Sequence, residues 1–410
     1  ARMLTVRPVR RIGAARRFQH PLIFRAVFVR IDIPTVDDAL LLLRLGGIAA
    51  LLDANDLPAA SGRAQCTNAW LTGYGCPGAN APIAGGTYWD PDGAGPAPAI
   101  VVIGGGFSLV DTVVAEGLAT WQPASGAWSA LPSPPLPGSG ALVATALTSL
   151  STGELVVAYR TVATATTRVA VWDGSTWIVL GPDFPAEVNT LLARPNGELV
   201  AGGAFSLGIG GSGVARWTGI TWQTIGGGVD GSVRSLANGS AGELIVGGAF
   251  DHAGGVAASG VAQWNGTNWS AVGNFSGYVS SLAAGPGGVF AGNDVGLQRW
   301  NGIAWSPVPG LGAAPFPSPS VYSVAALPSG RVVVGGYISS AGGTPTRNIA
   351  VFDPAAGTWS TLGSGVAGNG TTQTSTVIEL PGGDLLVGGA FADAGGTPAP
   401  HVARWNGAQW

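Results

Sequence analysis

Three histidines (His20, His252 and His401), two cysteines (Cys66 and Cys76) and 22 acidic residues are the groups in this 410-residue chain from which metal binding, nucleophilic attack or proton transfer could be built. All 19 basic residues are arginine, so no lysine is available for a Schiff base or a phosphate-cradling loop. Cys66 and Cys76 lie ten residues apart, and two thiols without further Cys or His ligands fall short of a structural zinc site. Asp90-Pro91-Asp92-Gly93-Ala94-Gly95 has the alternating carboxylates that open a calcium loop. It lacks the third acid and the distal glutamate, so a turn is the favoured reading. No Gly-x-Ser-x-Gly elbow is present. No catalytic residue, cofactor or metal is expected.

The surrounding composition says what could position such groups. Glycine (68) and proline (29) punctuate the chain heavily, while 46% hydrophobic residues and 15 tryptophans argue for a packed core. Residues 1–30 hold eight arginines and no acid, whereas from residue 64 onward 9 arginines face 17 acids, a net of −8. An overall charge of −3 offers no general case for nucleic acid as a partner. Residues 39–52 form a 14-residue apolar run broken by Arg44 and Gly46-Gly47, with Thr35 and Asp38 placed as a capping box before it. That run is too short for an ordinary membrane span. A basic stretch, an apolar run and a small-residue segment follow the order of an export signal. Residues 1–64 are therefore expected to be a basic, partly helical N-terminal extension, an export signal or else a disordered segment, and the protein to be extracellular or at the cell surface. In an exported chain, Cys66 and Cys76 are expected to form one disulfide.

Internal repetition is the strongest signal. Apolar runs ending in paired glycines recur at residues 100–107, 199–205, 244–250, 332–337 and 385–391, with weaker copies at 155–159 and 289–293. Each is followed by an aromatic pair: Trp121/Trp128, Trp172/Trp177, Trp217/Trp222, Trp264/Trp269, Trp300/Trp305, Phe352/Trp359 and Trp405/Trp410. The first members are 36 to 53 residues apart. Seven copies at a period of roughly 40–50 indicate propeller blades of several short strands each. In the unit over 231–273, residues 232–237, 243–250, 260–264 and 269–272 read as four strands, the second buried on both faces. Asn265-Gly266 reads as a tight turn with both central residues at positive φ, repeated at Asp173-Gly174, Asn301-Gly302 and Asn406-Gly407.

A Gly-Gly-terminated apolar run followed by an aromatic and a Trp about seven residues apart resembles the kelch repeat of galactose-oxidase-type propellers. Residues 332–362 carry the resemblance best, with Phe352-Asp353-Pro354 and Trp359, and Trp121 to Trp128 is a second match. The other units resemble a GGxFxxAGG…ARWNGxxW variant found in exported bacterial proteins. The resemblance implies an all-β fold, a seven-bladed propeller of four-stranded antiparallel blades over residues 65–410. Residues 70–75 resemble the fourth-strand stretch 222–227 and are expected to complete the last blade. A galactose-oxidase copper site would need ligands that are missing, because both cysteines sit in the closing segment and His252 and His401 fall in non-neighbouring units.

In a four-stranded meander the 2–3 loops and the inter-blade connections share one face. The long 2–3 loops at 206–213, 251–259, 338–347 and 392–400 concentrate Asp251, His252, Arg347, Asn348 and Asp393 there, and these are the candidate binding residues. The expectation is a non-enzymatic, monomeric scaffold that binds a protein or a glycan. The alternative is a carbohydrate-active or oxidative enzyme on the same scaffold.

Overall fold

The computed structural model describes residues 78–410 except 94, 137, 209–211, 314–317 and 369–372. The expected extension and export signal over 1–64, the Cys66–Cys76 disulfide and the closing strand at 70–75 all lie outside the described residues. Among those described there is no helix, and so none long and apolar enough to cross a membrane.

The chain runs as successive antiparallel meanders. The fourth sheet shows the pattern: Ser232–Asn238, Leu244–Ala249, Val261–Trp264 and Trp269–Ala271 pair in that order. Its second strand is a run of apolar and glycine residues buried along nearly its whole length, because sheets pack on both of its faces. Five further four-stranded sheets and a three-stranded one, Gln373–Glu379, Leu385–Ala390 and Val402–Trp405, follow the same plan among the described residues. The first strand of each sheet touches the first strand of the next, and Gln373–Glu379 of the last touches Ile83–Trp89 of the first. The sheets thus close on themselves as a β-propeller, whose cores of Val, Leu, Phe and Trp lie between neighbouring sheets.

Two devices recur in joining one sheet to its neighbour. The second tryptophan donates its indole N–H to a carbonyl in the connection preceding its own sheet: Trp222 to Leu180 O at 2.8 Å, Trp269 to Ile225 O at 3.2 Å, Trp305 to Val272 O at 2.6 Å and Trp410 to Leu362 O at 2.7 Å. In the second, third and seventh sheets the first strand carries a β-bulge whose central residue reaches the next sheet. Thr145 donates to Val188 O at 2.7 Å, Asn189 to Val233 O at 2.9 Å, and Ser375 of the last sheet to Ile83 O of the first.

The 3–4 turns differ from expectation. Trp264 pairs directly with Trp269, leaving a four-residue loop in which only Gly266 has positive φ. Asn265 Oδ1 accepts the N–H groups of Thr267 at 2.9 Å and Asn268 at 2.8 Å, so the side chain closes the turn. Asn301, Asn406 and Asp173 do the same. The N–H bonds from Thr176 and Ser175 hold the Asp173 carboxyl well below the usual carboxylate range.

Candidate functional site

The 2–3 segments, read from sequence as loops, include two-residue ladders. His252–Ala253 pairs with Val256–Ala257, Ser340–Ala341 with Thr344–Pro345, and Asp393–Ala394 with Thr397–Pro398. The A-G-G sequence makes each hairpin, since both glycines adopt positive φ: 55° and 81° at Gly254 and Gly255. Each hairpin then pairs with the connection entering its sheet: Val229 bridges Ala253, Leu311–Gly312 pairs with Ser340–Ala341, and Val366–Ala367 with Asp393–Ala394. Hairpins and connections therefore share one face, as the meander requires.

On that face the candidate residues separate into two clusters. Arg347 and Asp393 meet across the sixth and seventh sheets, Arg347 Nη2 lying 3.2 Å from Asp393 Oδ1 while its Nε donates to Ser364 O. Asn348 sits at φ 62° and donates its amide to Val366 O at 2.9 Å. These three residues fasten hairpin to connection. His401 occupies the slot equivalent to Asn348, at φ 68°, with its N–H on Phe391 O and its carbonyl accepting from Gly389. In the fourth sheet Gly260 fills that slot, at φ 69° with its N–H on Phe250 O. Burial lowers the His401 pKa, against a raising contribution from its bond to Gly389 O.

Asp251 and His252 form the second cluster around Asp230, a residue sequence reasoning passed over. Asp230 Oδ1 accepts the N–H of Asp251 at 2.8 Å and of His252 at 2.9 Å, and Oδ2 lies 2.7 Å from His252 Nδ1. Burial pushes the Asp230 carboxyl upward, but the N–H bonds from His252 and Asp251, with the His252 ring, outweigh it and leave it below its usual range. Asn80 performs the same double capping on Ser108 and Leu109 in the first sheet. The other described connections carry Gly312 and Ala367 at the equivalent pairing positions, so laying the repeats over one another would have exposed Asp230.

This ridge stands between two open grooves. One, of about 330 Å³, is lined by Asp230, Phe250, Asp251, Ser259 and Tyr278; the other, of about 630 Å³, by Ser212, Asp230, His252 and glycines 226–228, 254 and 255. Glycines floor the larger groove and leave its backbone accessible, while in the smaller one the two carboxylates, Ser259 and Tyr278 supply hydrogen-bonding groups and one aromatic surface. Among the described residues, no three His, Cys, Asp or Glu side chains converge as metal ligands.

No protein-family model matches the chain, and no curated protein sequence matches it. Solved structures are similar at low identity. YCF48 bound to D1 peptide has a TM-score of 0.49 and 13% identity, covering 80% of this chain and 93% of its own. The WD40 β-propeller domain of Doa1 gives 0.49 and 13%, covering 80% and 94%. A catalytically inactive virginiamycin B lyase from Staphylococcus aureus with quinupristin gives 0.49 and 10%, covering 79% and 94%. The class of protein defined by the sheets themselves is a β-propeller.

Proposed function

We propose that the chain is a seven-bladed, kelch-like propeller, exported to the cell exterior or surface, that works as a non-enzymatic scaffold binding a protein or a glycan. The observation that carries this is the Asp230-capped ridge with a groove on either side, on the face where hairpins and connections meet. A rigid ring presenting variable polar segments on one face suits recognition. The polar groups there are mostly bonded to backbone, an arrangement that holds a surface in shape.

The purified protein should be screened against glycan and protein arrays, with Ser259→Arg to block the smaller groove and Ile303→Arg as a control on the opposite, 3–4-turn face. Binding lost in the first variant and kept in the second is the expected result. Turnover of a bound sugar, abolished by Asp251→Ala or His252→Ala, would replace the scaffold with the enzyme.

A further inference from the structure

Among the described residues, every arginine but one is engaged by an acid or a carbonyl oxygen. Arg168, Arg194, Arg331, Arg347 and Arg404 pair with Asp183, Glu198, Glu379, Asp393 and Asp384; Arg160 and Arg216 lie near Glu187 and Glu198; Arg299 donates to Pro354 O. Arg234 alone has neither a hydrogen bond nor an ion pair, and it is exposed. Its position is the bulge of the fourth sheet's first strand, where Val233 and Ser235 flank it. In three other sheets that position holds Thr145, Asn189 or Ser375, each donating across to the next sheet, and in two it holds Ala84 and Tyr322. In the fourth sheet the neighbouring Ser235 makes the joint, donating to Leu282 O at 2.9 Å, and Arg234 does not take part. Its guanidinium carbon instead lies 5.4 Å from the ring centre of Tyr278, which stands just before the fifth sheet.

The surroundings leave this pair open. The fifth sheet turns from Gly288–Asn293 into Gly296–Trp300 without the hairpin that covers the fourth, sixth and seventh. Tyr278 is 37% exposed and lines the 330 Å³ groove together with Asp230, Asp251 and Ser259. A guanidinium whose carbon lies over a ring still has N–H groups to offer a planar, two-oxygen acceptor. The carboxylates of Asp230 and Asp251, for their part, accept donors such as hydroxyls. Two carboxylates in a domain of net −8 disfavour polyanions, including acidic peptides.

We propose that Arg234 and Tyr278 form a recognition site for the carboxylate of an acidic sugar, a uronic-acid-type residue within an otherwise neutral glycan, whose hydroxyls are taken by Asp251 and Ser259. This rests on the binding face described above and names the ligand class of its smaller groove. The guanidinium binds the sugar carboxylate, Tyr278 fixes the guanidinium and offers apolar surface to the sugar, and the acidic rim selects a hydroxyl-rich ligand over a purely anionic one.

The test is calorimetric titration with a glucuronate-terminated disaccharide and with its glucose-terminated counterpart, at low salt. The acid is expected to bind roughly tenfold more tightly, the scale of one charge-assisted hydrogen-bonded pair. Arg234→Met, which keeps the apolar stem, should bring the two sugars to equal affinity, and Tyr278→Ala should weaken both; circular dichroism confirms that each variant is folded. Equal affinities in the wild type overturn the proposal, as does a preference that survives Arg234→Met or equal binding of a glutamate-rich peptide. Binding of neither sugar also overturns it. If the arrays still yield a ligand blocked by Ser259→Arg, the binding face stands while this ligand class fails; if they yield none, both fail.

Discussion

Asp230 ties a connection to a hairpin through two backbone N–H groups and one imidazole, and its side chain is about half exposed. Asp230→Ala strands both donors and should cost about 1–2 kcal/mol, the range for a partly exposed, charge-assisted cap. Asp230→Asn should cost distinctly less, because Asn80 caps the equivalent pair in the first sheet with an amide oxygen. Urea unfolding of the two variants checks the order. Since the folded-state pKa of Asp230 is depressed, its stabilisation is present above the unfolded carboxyl value of about 3.9 and fades as pH falls through the folded value.

His401 gives a pH dependence of the same sign in a higher window. Burial favours its neutral ring, so its folded pKa lies below the unfolded value of about 6.5. Above that value no stability is lost, and as pH falls below it the unfolded chain takes up the proton first. Stability should therefore decline on acidification from about pH 6.5, and His401→Gly should flatten that part of the profile. The glycine suits the left-handed backbone that Gly260 already adopts at the matching position. Melting temperatures of both proteins between pH 7 and pH 5 supply the comparison.

At the scale of elements, the hairpin over the fourth sheet rests on Trp269. A Cβ on Gly254, at φ 55°, would lie 2.5 Å from Trp269 Cδ1 and 2.7 Å from Gly226 O, whereas one on Gly255, at φ 81°, would meet nothing within 4 Å. Gly255→Ala should cost only the left-handed backbone penalty of about 1 kcal/mol, and Gly254→Ala that penalty plus the clash, about 2–3 kcal/mol in all. Denaturant midpoints separate the two effects. The strands themselves were legible in the sequence, because apolar runs, paired glycines and spaced tryptophans are what a sheet buried on both faces needs. The A-G-G hairpins were not, since two-residue ladders carry no periodicity. The bulges escaped for a related reason: Thr145, Asn189, Arg234 and Ser375 share a position but no residue type. The candidate site was half legible. Asp251 and His252 stood out by type, Asp230 needed the repeats laid over one another, and Tyr278 emerges only when the connection is placed beside the hairpin.

At the scale of the molecule, the ring is held by contacts between first strands, with Ser375 reaching Ile83 to join last sheet to first. Such a ring offers two faces with different material. The 3–4 turns at 218–221, 265–268 and 301–304 are short, closed by Thr218, Asn265 and Asn301 side chains, and tipped at Ile220 and Ile303 by residues 86% exposed. The opposite face carries the hairpins, both grooves and, over Tyr278, the Arg234 guanidinium, which among the described residues has no ion pair. Recognition on the second face is the central claim. The most direct measurement is amide hydrogen exchange of the protein with and without a ligand captured on the arrays. Slowed exchange concentrated in residues 226–234, 249–260 and 277–279 is the predicted footprint. Protection confined to the turns at 218–221, 265–268 and 301–304, with the hairpins unchanged, would contradict it.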